Sequence, residues 1–355
     1  LDYPATTPLA PEARSAMLRW MGGPESDTFG NPHSSHRMGR MAAAAIEAAR
    51  DEIAKLFPPG GRVIFTSGAT EAINLAIRGA PGEGSIAISA IEHAALLDTA
   101  RAMAQCHVLG VDRDGLCQPD QQWPADTRIF AIMQINNEIG TIQPLEKWAA
   151  LAARQGALLL VDGVQAYGKL PLAHADMIAV SAHKLHGPKG IGALWVRDGL
   201  ALAPQQTGGG QEQGLRSGTL SPALIAGFGA AARLAAERMA EDAAHVQALW
   251  HRARDLFDGW ILNGSDRQRW HGNLNLRKDG LDVARLMSDC RSIMFSAGSA
   301  CASGSGRPSH VLRAIGLSEA EAKSSIRLGF GRYTQEQDIE TAAAAINAAA
   351  REQGL

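Results

Sequence analysis

Cysteine is scarce in this chain, net charge is nearly absent and no long apolar run occurs. Each shortage closes off a class of protein. The four cysteines, Cys106, Cys117, Cys290 and Cys301, form no Cys-x-x-Cys pair and have no histidine at zinc-ligand spacing. That pattern argues against a disulfide scaffold or a metal centre and for reduced thiols in a reducing compartment, so a cysteine with a task must have it chemically. Lysine and arginine total 34 against 36 acidic residues, a formal charge of −2. Such a balance gives no basic field for nucleic acid or an anionic membrane, so any phosphate must be bound locally. No run approaches the roughly 18 apolar residues of a membrane span, and no signal-peptide pattern opens the chain. A cytoplasmic protein acting on a small molecule, with no nucleic-acid or membrane partner, is expected. What is plentiful is apolar residue, 46% over 355 positions, enough for one large domain and a smaller one.

Apolar runs and polar exits alternate along the first two thirds. Strands are expected at residues 62–66, 85–89, 106–111, 128–134, 157–161, 177–180 and 191–196, with helices at 38–56, 71–78 and 145–154 between them. A helix pair is expected at 222–237 and 241–257, and from about 259 the elements shorten. Strand and helix in alternation imply an α/β fold: a largely parallel sheet covered on both faces, with ligands outside the carboxyl ends of its strands. The expected division is a large domain at 11–250 and a smaller α+β domain built from 1–10 and 251–355.

The polar exits carry the chemistry. Residues 181–192 read Ser-Ala-His-Lys-Leu-His-Gly-Pro-Lys-Gly-Ile-Gly, a backbone suited to close approach of a small anion. Lys184 there is either a covalent amine or a surface lysine in a turn. Ser67-Gly68-Ala69-Thr70 joins a strand to a helix, where free N–H groups and a positive dipole end suit phosphate; an ordinary Thr70 cap is the plainer alternative. His93 stands at another strand-to-helix junction, structural unless a planar ring lies beside it. Asn136 and Asn137 are turn formers or ligand donors. Asp162 follows Leu158-Leu159-Leu160-Val161, so it is partly desolvated and needs a cation or a proton; Gln165 lies three positions on. Cys301 sits in a Ser/Ala/Gly run unable to pack a core, a mobile thiol that reaches a site or a surface cysteine. The glycine-rich stretch 207–220 is too flexible for a core and too particular for a linker, and no Gly-x-Gly-x-x-Gly supports a dinucleotide fold.

The ordered series SGATE, EH, NNEIG, VDGVQ, SAHKLHGPKGIG, GGGQEQGLRSGT, SACAS and SSIRLGFGR resembles the cysteine desulfurase family, pyridoxal-phosphate enzymes of fold type I in the class V aminotransferase superfamily. The similarity runs from LDYPATTP to GRYT, essentially the whole chain. The resemblance implies that Lys184 carries pyridoxal 5'-phosphate as a Schiff base, that Asp162 pairs with the ring nitrogen, and that Gln165 contacts the ring hydroxyl. His93 would stack on the ring and move protons. Ala69, Thr70, Ser181 and His183 would hold the phosphate, joined by Thr219 from a partner subunit, which implies a homodimer. Arg327 would clamp the substrate carboxylate with Asn137 assisting, and Cys301 would accept sulfur from L-cysteine as a persulfide, leaving L-alanine. A sulfur-acceptor protein, for iron–sulfur cluster assembly or thiolation, is the implied partner. Against the family pattern a few residues are expected before Leu1, and after Leu355 the longer tail by which housekeeping members dock a scaffold is missing. The alternatives are a selenocysteine lyase or aminotransferase of the same fold, or a catalytically silent pyridoxal-phosphate partner protein.

Overall fold

Strands that are apolar on both faces need cover on both, and they receive it in the computed structural model, which describes residues 1–103, 105–298 and 308–355. Among the described residues seven strands form one sheet: β1 (Gly61–Thr66), β2 (Ile86–Ser89), β3 (Cys106–Leu109), β4 (Ile129–Met133), β5 (Leu158–Asp162), β6 (Met177–Ser181) and β7 (Gly192–Arg197). Their spatial order is β1-β7-β6-β5-β4-β2-β3, parallel from β3 to β6, with β7 antiparallel to both its neighbours. Side chains alternate between two cores. Phe130, Ile132, Leu159, Val161, Ile178 and Val180 face one way, and Ile129, Ala131, Leu160, Met177 and Ala179 the other. Helices α1 (Pro11–Leu18), α2 (Arg37–Ala54) and α5 (Leu145–Gln155) supply residues to the first core, and α3 (Ala69–Gly79) and α4 (Ala94–Arg101) to the second. Continuous apolar runs are what such two-sided burial requires.

The expected helix pair is a single helix, α6 (Pro222–Leu256), of 35 residues. Nothing at 238–240 breaks it, and Arg238 reaches forward to Glu241 and Asp242, the i+3 and i+4 pairings that favour continuity. Its first half packs on α1 and α2 and its second on α10 (Glu336–Arg351), so the expected 250/251 division falls inside one rod. No described helix, this one included, is long and apolar enough to cross a membrane.

Four further strands form an antiparallel sheet in the order β10-β11-β9-β8, from β8 (Ile261–Leu262), β9 (Asn273–Arg277), β10 (Ser296–Ala297) and β11 (Ser325–Gly329). The apolar run 293–295, expected as a short element, lies just before β10 instead. Pairing starts at Ser296 opposite Arg327, while Met294 is left exposed. Helices α7 (Val283–Asp289), α8 (His310–Ala314) and α9 (Glu319–Lys323) complete the chain. The N-terminal residues belong to both sheets' surroundings: Asp2 bridges to Gly329, while Thr7 N–H donates to His183 O (2.9 Å).

Candidate active site

Parallel strands end on the same rim, and the polar exits therefore meet there. Thr66, Ser89, Met133, Asp162 and Ser181 are the last residues of β1, β2, β4, β5 and β6, and Gly192 opens β7 at the same edge. Between them is a cavity of about 540 Å³ lined by Ala69, Thr70, His93, Asn137, Asp162, Gln165, Ser181, His183, Lys184 and Arg327. Ten of the expected site residues thus share one cleft.

Lys184 ends the short turn of helix Ala182–Lys184 that follows β6. Its position is set by the chain's first ten residues, which lie across it. Ala10 N–H donates to His186 O (2.9 Å), and His186 N–H donates to Thr7 Oγ1 (2.7 Å). The Lys184 ammonium donates to Pro4 O (2.6 Å) and Ala5 O (2.7 Å). Gln165 Nε2 donates to the same Pro4 O (2.9 Å).

Asp162 is buried, and its Oδ1 accepts the Val164 N–H (2.9 Å). Burial pushes its carboxyl up, opposed by that N–H and by His93 and Lys184, so a cationic partner would favour its charged form. His93 caps α4 by accepting the Ala95 N–H at Nδ1 (3.1 Å), which leaves its other ring nitrogen as the proton-carrying one. Burial holds its pKa down, with Asp162 pulling the other way, so a neutral imidazole faces the cleft. His183 is pulled down to about 4, chiefly by burial and then by Lys184, and it shares a hydrogen bond with Thr6 Oγ1 (3.1 Å).

At the β1 end, α3 begins on Gly68 with no side-chain cap among the described residues, and Gly68, Ala69 and Thr70 line the cleft, so an uncapped helix start borders it. A side chain on Gly192 would strike Gly68 Cα at 2.7 Å and Val180 O at 2.5 Å; only glycine lets β7 pass behind this turn. Opposite, Arg327 is 1% exposed and donates to Asn137 O (3.0 Å) and Asp2 Oδ1 (2.8 Å). Its Nε is buried and meets no acceptor among the described residues.

Comparison with known proteins identifies the family. The aminotransferase class-V family model matches residues 1–341. The cysteine desulfurase IscS of Rickettsia bellii is 40% identical over 366 residues, spanning 96% of this chain and 88% of that protein. The chain belongs to the cysteine desulfurases of the class-V aminotransferase family. The fold agrees: a NifS-like protein from Rickettsia africae superposes with a TM-score of 0.89 at 27% identity, covering 99% of both chains. A structure described as SspA in complex with cysteine does so with a TM-score of 0.82 at 35% identity, covering 94% of this chain and 99% of that one.

This family is pyridoxal-phosphate dependent, and the residues present fit that cofactor. An uncapped helix start with Thr70, Ser181 and His183 suits a phosphate, a buried acid suits a ring nitrogen, and a lysine lies between them in a cleft with ample room. Two expected residues are not placed in the cleft. Thr219 is exposed and does not line it, and Cys301 lies outside the described residues. The three described cysteines all have thiols raised by burial, Cys117 to about 12, and none lines the cavity, so none is a ready nucleophile. Cys290 is buried and Cys106 half-buried.

Sequence reasoning missed Lys189 and the Pro4 and Ala5 carbonyls. Lys189 lines the cleft within the Gly-Pro-Lys-Gly run, which was a signal. The carbonyls had none, since any residue carries one.

Proposed function

We propose that this protein takes sulfur from L-cysteine and holds it as a persulfide on Cys301, releasing L-alanine. The net step balances without an outside oxidant: the Cβ–S bond of L-cysteine breaks, an S–S bond forms at Cys301, and the hydrogen lost from the two thiol groups ends on Cβ. The observation that carries the reading is the single cleft in which Lys184, Asp162, His93 and Arg327 meet beside an uncapped helix start. Bound pyridoxal phosphate supplies an electron sink for electrons released at the substrate's Cα.

The chain's own residues do the rest. Ala69, Thr70, Ser181 and His183 hold the phosphate end. Asp162, kept from water, stabilises a proton on the ring nitrogen, and Gln165 donates toward the ring hydroxyl. Lys184 would carry the cofactor and, as a free amine, would move the Cα proton, while neutral His93 would accept a second one. Arg327, which lines the cleft, would meet the substrate carboxylate there. The exposed Thr219 suits a role across a two-fold interface, completing the phosphate site of a second copy. Acceptance of the sulfur by a carrier protein in the cytoplasm follows as the next step.

Mass spectrometry tests the reading. After incubation with L-cysteine the peptide holding Cys301 should gain the mass of one sulfur, and those holding Cys106, Cys117 and Cys290 should not. Alanine release without that gain would move the sulfur elsewhere, and cofactor absorbance with no alanine would mark a silent relative.

A second expectation concerns Arg327. Arg327→Lys keeps the charge but loses the planar fork, so KM for L-cysteine should rise roughly tenfold or more. The cofactor's absorbance should stay as it was. An unchanged KM would remove Arg327 from substrate binding.

A further inference from the structure

Behind the cleft lies a second, smaller cavity of about 40 Å³, and Lys169 lines it together with Gln165 and Lys184. The Lys169 ammonium donates to Gln165 Oε1 (3.1 Å). No carboxylate pairs with it among the described salt bridges. Three contacts link it to the catalytic amine: Lys169 Nζ to Gln165 Oε1, Gln165 Nε2 to Pro4 O, and Lys184 Nζ to the same Pro4 O. An ammonium can only donate and a carbonyl can only accept, so the two ends fix which way the Gln165 amide points.

We propose that Lys169 is a positioning residue, which locks the Gln165 amide with its N–H edge toward the cleft and places a positive charge behind Lys184. The inference rests on the reading of Lys184 as the cofactor's amine and Gln165 as the donor to its ring hydroxyl. Lys169 is half-buried by exposed area, yet protein packs densely around its ammonium. That burial, with the charge of Lys184 adding to it, pulls its pKa down to about 7. The amide lock is therefore itself protonation-dependent. Once neutral, the Lys169 amine can accept as well as donate, and the amide is free to turn over.

Of the groups around it, His183, His186 and Tyr3 are shifted away from that window. His183 and His186 are each pulled down to about 4, mainly by burial, with Lys169 among the lesser causes, so both are neutral near pH 7. Asp242 is tied to Arg332 at 2.6 Å, and the Tyr3 phenol is pushed further up by burial. Lys184 is the amine to which the three contacts lead.

The test is a pH titration of the visible absorbance of the holoenzyme, comparing the natural protein with Lys169→Met and Lys169→Arg. Removing a positive charge makes a proton on Lys184 easier to keep, so Lys169→Met should move the midpoint upward by about one unit. Lys169→Arg, which retains the charge, should return most of the shift. An unmoved midpoint in Lys169→Met overturns the proposal while leaving the cofactor assignment intact. A natural protein with no visible band would instead overturn the cofactor assignment itself. A shift in Lys169→Met that Lys169→Arg does not reverse would reduce Lys169 to packing.

Discussion

Lys184→Ala should lose L-cysteine turnover by at least about 10⁴-fold while remaining folded, because it removes the covalent amine and a general base in one step. The structural cost is small by comparison. Two hydrogen bonds, to Pro4 O and Ala5 O, disappear at the wall of an open cleft where water can replace the ammonium, a loss of about 1–2 kcal/mol. Circular dichroism should therefore be unchanged. The phosphate-holding residues and Asp162 are untouched, so the variant should still take up pyridoxal phosphate, but gel filtration after borohydride treatment should strip it. In the natural protein the same treatment should fix the cofactor to the peptide holding Lys184. Two other amines stand close enough to compete, exposed Lys189 on the cleft and Lys169 behind it. Label on either, or turnover within tenfold of the natural protein, would take the catalytic amine away from Lys184.

The competition among these lysines shows what can be read from a sequence. Strands β4, β5 and β6 were legible because two-sided burial demands continuous apolar runs, and the rim followed because parallel strands end together. The residues at those ends, Asp162 and Ser181 among them, could then be assigned to one cleft without knowing any distance. Lys169 was not legible. It lies four positions after Gln165 in a turn, and nothing local says that its ammonium is enclosed. The strap of residues 1–10 was likewise invisible in its role, since what it offers Lys184 and Gln165 is backbone. The α6 misreading has another origin. Its residues 238–240, Arg-Met-Ala, carry no glycine or proline, and a change of composition is a weaker signal than a breaker.

The glycine-rich stretch 207–220 shows the same limit and yields the largest expected loss of stability. Within it Glu212 is buried, its side chain only 2% exposed, and its two oxygens accept Arg50 NH2 (2.8 Å), Arg50 NH1 (2.9 Å) and the Phe65 N–H (2.8 Å). Arg50 also donates to Val63 O (2.8 Å) and lies over the Phe65 ring at 4.4 Å. Burial alone would lower the Arg50 pKa, but Glu212 and Glu47 outweigh it and raise the value, as expected of a cation with a real partner. Glu212→Ala would leave a mostly enclosed guanidinium and a buried β1 amide together, so it should cost about 3–5 kcal/mol in urea unfolding. Glu47 and the 20% exposure of Arg50 keep the figure toward the lower end. Phe65 lies two residues before Ser67, at the start of the phosphate turn, so cofactor retention should weaken with stability. The double change Arg50→Met with Glu212→Leu should recover much of the loss, since it removes both charges rather than stranding one. Added salt should change little, because an enclosed pair is poorly screened. A loss below about 1 kcal/mol for Glu212→Ala would mean that water reaches this pair and that the stretch is held by its glycine turns instead.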